Sequence, residues 1–197
     1  MIPIYRVSAL AAYARWKAED SEGIGWLYNS IFADESTEAM SRGTAFHKAL
    51  EMATEGDYHT VQADGYTFAF TCDAEIILPE TREIRRSKDY GGIIVSGQCD
   101  GIEGCVIMDH KTVQQFDAEY HLGGWQHRFY LDIFEADRFD WHIWTVGQIK
   151  DQPMAYEVYE YHLMSQYRYP NLEADCRELA QEFLEFSNRM GWEGRAA

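Results

Sequence analysis

The chain is short of cations. Its 197 residues carry 17 Lys and Arg against 33 Asp and Glu, a formal net charge of −16. That deficit argues against a protein that coats nucleic acid by bulk electrostatics. It leaves room for a nucleic-acid enzyme whose cationic contacts are local and metal-assisted. Cysteine is scarce: Cys72, Cys99, Cys105 and Cys176 are all there is, with no pair at CxxC spacing. Neither a disulfide scaffold nor a four-cysteine zinc site is expected, and the thiols are read as reduced and mostly buried in a cytoplasmic protein. No apolar run approaches the ~20 residues of a membrane-spanning helix, so no membrane partner is expected. The opening MIPIYRVSAL lacks a basic segment followed by a long apolar stretch, so no secretory signal is visible. There is no low-complexity tract, repeat or Pro/Gly-rich linker.

Hydrophobic residues make up 46% of the chain, enough for a real core and too many for global disorder. The chain reads as one domain: a helical N-terminal arm over 1–35, a core over 36–165 and a C-terminal helix within 166–197. Ser8 is placed to cap a helix through about Lys17, with Leu10, Tyr13 and Ala14 at helical spacing. Gly23 and Gly25 interrupt it before the apolar Trp26-Leu27-Tyr28. A second helix is expected from Thr37 to Ala53, stopped by Glu55-Gly56-Asp57. Alternation then predicts strands over 66–78, 92–100 and 105–111, with a charged turn at Thr81 to Lys88 and a hairpin at Gly101 to Gly104. A helix over 118–136 follows. Strands over 141–147 and 155–163 come next, then a helix over 172–190 capped by Asn171. The order α-α-β-β-β-α-β-β-α implies a mixed α/β fold with helices flanking one sheet.

The segments with chemistry in them are Gly97-Gln98-Cys99-Asp100 and Ile107-Met108-Asp109-His110-Lys111-Thr112. On a strand, residues i and i+2 share a face, so Asp109 and Lys111 point the same way, roughly 7 Å apart. The hairpin brings Asp100 alongside Asp109. Two close carboxylates repel unless a cation lies between them, and hard oxygen ligands suit Mg²⁺ or Mn²⁺. His110 points to the other face, but its carbonyl can serve the site. Lys111 beside the ion can orient an attacking water.

This array resembles the PD-(D/E)XK nuclease superfamily, with Asp100 at its first acid and Asp109-His110-Lys111 at its (D/E)-x-K. Cys99 replaces the proline of that pattern. Arg42-Gly43-Thr44-Ala45-Phe46-His47 is similar to the G-x-x-x-H signature of the RecB-like exonuclease branch, and Gln126-His127-Arg128-Phe129-Tyr130 to its Q-x-x-x-Y. The N-terminal Val7-Ser8-Ala9-Leu10 adds a looser likeness to phage exonucleases of the RecE and lambda-exonuclease type. The resemblance covers about residues 40 to 165. It implies a restriction-endonuclease-like αβββαβ core and a Mg²⁺- or Mn²⁺-dependent deoxyribonuclease, with DNA as partner. The ion would be held by His47, Asp100, Asp109 and the His110 carbonyl. Lys111 would position the nucleophile, and Gln126 and Tyr130 would support the strand and the lysine. It also implies exonuclease action, a recombination or repair setting in a bacterium or phage-infected cell, a recombination partner protein and a homo-oligomer. No iron–sulfur cluster is expected, since Cys176 alone lies near the C-terminus.

Each assignment has a plainer alternative. Asp109 and Lys111 can be an ordinary ion pair, though an Ile/Val-rich strand is a buried place for one. His47 alone reads as a core histidine. Glu75 is equally a metal or water ligand and a polar strand-edge residue. Arg42 is equally a phosphate contact and a solvated helix arginine. Arg82, Arg85, Arg86 and Lys88 are the candidates for tracking the DNA backbone, or else a solvated turn balanced by Glu80, Glu83 and Asp89. The aromatic hairpin around Trp141, Trp144, Tyr156, Tyr159 and Tyr161 reads as packing, and His121, His127 and His142 show no ligand spacing. Two rival functions remain: a binding or regulatory module with weak or lost catalysis, and a structure-specific endonuclease.

Overall fold

Eight strands, some of them alternating and some apolar on both faces, pair into the one sheet of the computed structural model. The structure describes residues 2–19, 22–33, 37–54, 59–74, 76, 79 and 81–193. In chain order the elements are β1 (Ile4–Arg6), α1 (Val7–Ala18), α2 (Ile24–Phe32), α3 (Glu38–Met52), β2 (Thr60–Ala63), β3 (Tyr66–Phe70) and β4 (Thr81–Asp89). Then come β5 (Ile94–Glu103), β6 (Val106–Val113), α4 (Ala118–Gly123), α5 (Gln126–Ile133), β7 (Arg138–Gln148), β8 (Ala155–Tyr167) and α6 (Leu172–Arg189). The sheet order is β1-β5-β6-β7-β8-β3-β2, with β4 also on β5. β6 runs parallel to β7, β3 to β8 and β1 to β5, while the other pairs are antiparallel. This is the mixed α/β architecture that the element order implies.

Helices cover both faces, because the central strands are apolar on both sides. In β7, Trp141 and Ile143 join one core while Trp144 and Val146 join the other. The first core seats α1, α5 and α6 through Leu10, Tyr13, Phe129 and Phe183. The second seats α3 through Phe46 and Leu50 against Phe68, Trp144 and Val158. α1 buries Val7, Leu10 and Tyr13 in the larger core.

The structure corrects several sequence expectations. Thr81 to Lys88 is no turn: it is strand β4, laddered to β5 from Thr81↔Ile102 to Asp89↔Ile94. Backbone bonds make that strand, and its mostly exposed or half-buried side chains show no apolar alternation. The helix expected over 118–136 is two helices, broken at Gly124 and Trp125. The strand expected over 66–78 ends at Phe70, and Glu75, Ile77 and Leu78 lie outside the described residues. The short strands β1 and β2 were not expected. Ser8 is not the cap of α1, whose N-cap is Arg6, and Asn171 stands at the N-cap of α6 without a side-chain bond. Thr37 does cap α3, accepting from the Met40 N–H at 3.2 Å.

Candidate active site

The site begins with an opening in the sheet. One edge of β5 carries β4. The other edge is shared: β1 pairs with Ile94 to Ser96, and β6 pairs with Gly101 to Glu103. Between them, Gly97 to Asp100 faces an open stretch of edge where β6 has splayed away. Side chains bridge this opening. Asp100 Oδ2 accepts the His110 N–H at 2.6 Å, and the Tyr130 hydroxyl donates to the Gln98 carbonyl at 2.7 Å. The N–H and C=O of one strand residue point to the same edge, so the His110 carbonyl is directed into this opening too.

The acids and the lysine of the sequence pattern converge here. Lys111 Nζ is 2.5 Å from Asp109 Oδ2, and Gln126 Nε2 donates to Asp109 Oδ1 at 3.2 Å. His47 Nδ1, from α3, is 2.9 Å from Asp100 Oδ1. Burial pushes the Asp109 carboxyl up to about 6, with Lys111 opposing and Asp100 adding to the rise. Burial would raise Asp100 as well, but the hydrogen bond and charge of His47, with Lys111, hold it down at about 2. Burial lowers Lys111, yet Asp109 and Asp100 outweigh it and its ammonium is held above the ordinary value. Burial drops His110 to about 3, so its ring is neutral, and Nδ1 accepts the Trp144 indole N–H at 3.1 Å.

One member was not anticipated. In the β4–β5 ladder, Glu83 and Asp100 stand opposite but do not pair, and Glu83 has φ 53°. That left-handed backbone is strained for a glutamate. Its carboxyl meets the Gln98 amide and lines a small cavity with His47, Asp100 and His110. Burial, chiefly, raises its pKa, and Asp100 adds to the rise. The sequence held no local signal for this: Glu83 reaches the site only through the cross-strand register.

The donor set fits a hard divalent ion. That cavity has about 20 Å³, room for an ion or a water. Buried Asp109 Oδ2 has the Lys111 ammonium against it but no hydrogen bond of regular geometry. Among the described residues no three His, Cys, Asp or Glu side chains form a ready ligand cluster. The arrangement suits Mg²⁺ or Mn²⁺, which keep waters and use one or two carboxylates, rather than a closed zinc site.

Of the other candidates, Arg82 lines the same small cavity as His47, Glu83 and Asp100. At Gly43 of α3 a Cβ would sit 3.8 Å from Thr112 Oγ1 of β6, an ordinary contact. Arg42 is 3% exposed, over the Tyr156 ring at 5.1 Å and 3.6 Å from Glu38, with its Nε unpartnered. The basic residues of β4 meet partners within the chain. Arg82 Nη1 donates to the carbonyls of Leu50, Glu51 and Ala53 at the end of α3. Arg85 binds Gln98, Arg86 reaches the Phe134 carbonyl, and Lys88 lies between Asp132 and Glu173.

No protein-family model and no curated protein sequence matches the chain. Among solved structures, the crystal structure of SSO0001 superposes with a TM-score of 0.52 at 15% identity, covering 94% of this chain and 77% of that one. An alkaline exonuclease from Laribacter hongkongensis has a TM-score of 0.49 at 14% identity, covering 96% and 90%. A phage-related exonuclease from Haemophilus somnus 129PT has 0.48 at 12%, covering 93% and 83%. At these identities the likeness is one of fold.

Proposed function

We propose that the chain is a divalent-metal-dependent deoxyribonuclease of the PD-(D/E)XK kind, acting from DNA ends. One observation carries the reading: a lysine ammonium is held against a buried carboxylate, beside a second carboxylate, at a gap in the sheet. Asp100, Asp109 and the His110 carbonyl would hold the ion, with His47 and Glu83 at its border. A bound Mg²⁺ or Mn²⁺ would lower the pKa of a water and stabilise charge developing on the phosphate.

The chain's own residues do the rest. His47 keeps Asp100 ionised, so it is ready to bind a cation. Gln126 fixes the Asp109 carboxyl from the opposite side to Lys111. The Lys111 ammonium has three donors. One meets Asp109, which leaves donors to align a water and a phosphate oxygen for in-line attack. Tyr130 ties the free edge of β5 to α5 and so keeps the opening in shape.

The reading extends to recombination or repair in a bacterial or phage-infected cell's cytoplasm, with a partner protein and a homo-oligomer. Among the described residues no helix is long and apolar enough to cross a membrane. The test is digestion of linear and circular DNA with Mn²⁺, beside Asp109→Ala and Lys111→Ala. Linear DNA should be degraded and closed circles spared, with each variant at least about 100-fold slower. Digestion unchanged by either substitution would reject the assignment, and cutting of circles would make it an endonuclease.

A further inference from the structure

Lys111 and Gln126 also form part of the wall of a second, larger cavity of about 470 Å³, enclosed by α1, α2, α4 and the start of α5. Its size falls in the range of small-ligand sites. Trp26, Tyr120, Trp125 and Trp141 line it beside Glu19 and Glu119, and small residues of α1 such as Ala11 and Ala14 leave it open. Trp141 is shared between cavity and site, with its ring 5.7 Å from Lys111 Nζ.

Arg15 of α1 organises this cavity. Its guanidinium lies 5.2 Å from the Tyr120 ring and 5.7 Å from the Trp26 ring, one from α4 and one from α2. Nη1 is 3.5 Å from the Tyr120 hydroxyl, and Nε binds Glu19 at 3.1 Å. A cation is thus held near two aromatic rings at the wall of the cavity. Aromatic faces and an arginine plane are what an unpaired base stacks on.

We propose that this cavity is a nucleobase-stacking subsite, in which Arg15, Trp26 and Tyr120 hold the base of the nucleotide next to the scissile phosphate. The proposal rests on the nuclease reading of Lys111: with the phosphate at that ammonium, the adjoining nucleoside falls into the cavity that Lys111 lines. A base can lie on these rings only after it has left its own duplex stack. The substrate is therefore a strand that presents an unpaired nucleotide, as a frayed end or a single strand does. Because every base has a π-face, the subsite tolerates all sequences.

The test is binding without cleavage, in EDTA. A single-stranded oligonucleotide ending in fluorescent 2-aminopurine is titrated with the wild-type chain, Tyr120→Ala and Arg15→Gln. A matched oligonucleotide ending in an abasic site is titrated alongside. Tyr120 is 57% exposed, so its truncation spares the core, and Arg15→Gln gives an independent second variant. The wild type should quench the 2-aminopurine and bind the abasic end roughly tenfold or more weakly. Tyr120→Ala should lose both the quenching and the discrimination, and Arg15→Gln should weaken both. Equal binding of the two ends by a wild-type protein that still digests linear DNA with Mn²⁺ overturns the subsite and leaves the nuclease standing. A wild type that neither digests nor binds DNA removes both.

Discussion

Asp100 and His110 are joined by a hydrogen bond from the His110 N–H to Asp100 Oδ2 at 2.6 Å, where a neighbouring strand's carbonyl would otherwise stand. A side chain has replaced the ladder, and so the sheet is open yet satisfied at this point. The same carboxylate is held on its other oxygen by His47 at 2.9 Å. The opening is thus a built feature with donors on both sides.

His47→Ala should loosen this arrangement. Without the imidazole, burial is opposed by the His110 N–H and more distant charges alone, and the Asp100 carboxyl rises. Titration calorimetry with Mn²⁺ should show affinity reduced by about 10- to 100-fold. Undiminished affinity would place His47 outside the ion site.

Asp109 sets a pH dependence for the metal-free protein. Its folded pKa of about 6 lies above the ~3.9 of an unfolded aspartate, so the folded state binds more protons between these values. The stability it contributes is complete below about pH 4 and is lost as pH rises through about 6. Asp100, at about 2, acts oppositely: its contribution is present above ~3.9 and lost as pH falls through 2. In EDTA, Asp109→Asn should therefore melt with a flatter pH profile between pH 4 and 6 than the wild type. A wild type whose melting temperature varies over this range no more than the variant's would contradict the raised value.

Tyr130→Phe removes the hydroxyl that holds the Gln98 carbonyl at 2.7 Å. The loss should be about 1 kcal/mol, a melting temperature lower by roughly 2–4 °C in calorimetry, with Mn²⁺ affinity little changed. An unchanged melting temperature would show that the edge of β5 does not depend on this bond.

Arg82→Ala separates structure from DNA contact. Its guanidinium meets three carbonyls at the end of α3, where a cation also favours the helix dipole. Chemical denaturation should show a loss of about 1–3 kcal/mol. The salt dependence of DNA binding should stay as it is. A slope reduced by about one would instead put Arg82 on the phosphate backbone.

Local features were legible because their signals are local. Asp109 and Lys111 alternate with His110 on a strand, and a period-two pattern places the two on one face whatever surrounds them. His47 on α3, and Gln126 and Tyr130 on α5, could likewise be placed from helical spacing. The charged segment of β4 was not legible, since pairing through backbone hydrogen bonds leaves no mark on side chains that stay largely in water. Nor was Glu83, which faces Asp100 only because β4 and β5 lie in one register.

By itself, then, the amino-acid order determined which groups alternate, which helices present which face, and that two acids and a lysine lie on adjoining strands. The tertiary structure decided that β6 leaves β5 at Asp100, that the four cations of β4 meet partners within the chain, and that α1, α2 and α4 enclose a space beside Lys111. Those outcomes depend on contacts between segments far apart in the chain, and no window of neighbouring residues encodes the distance between them.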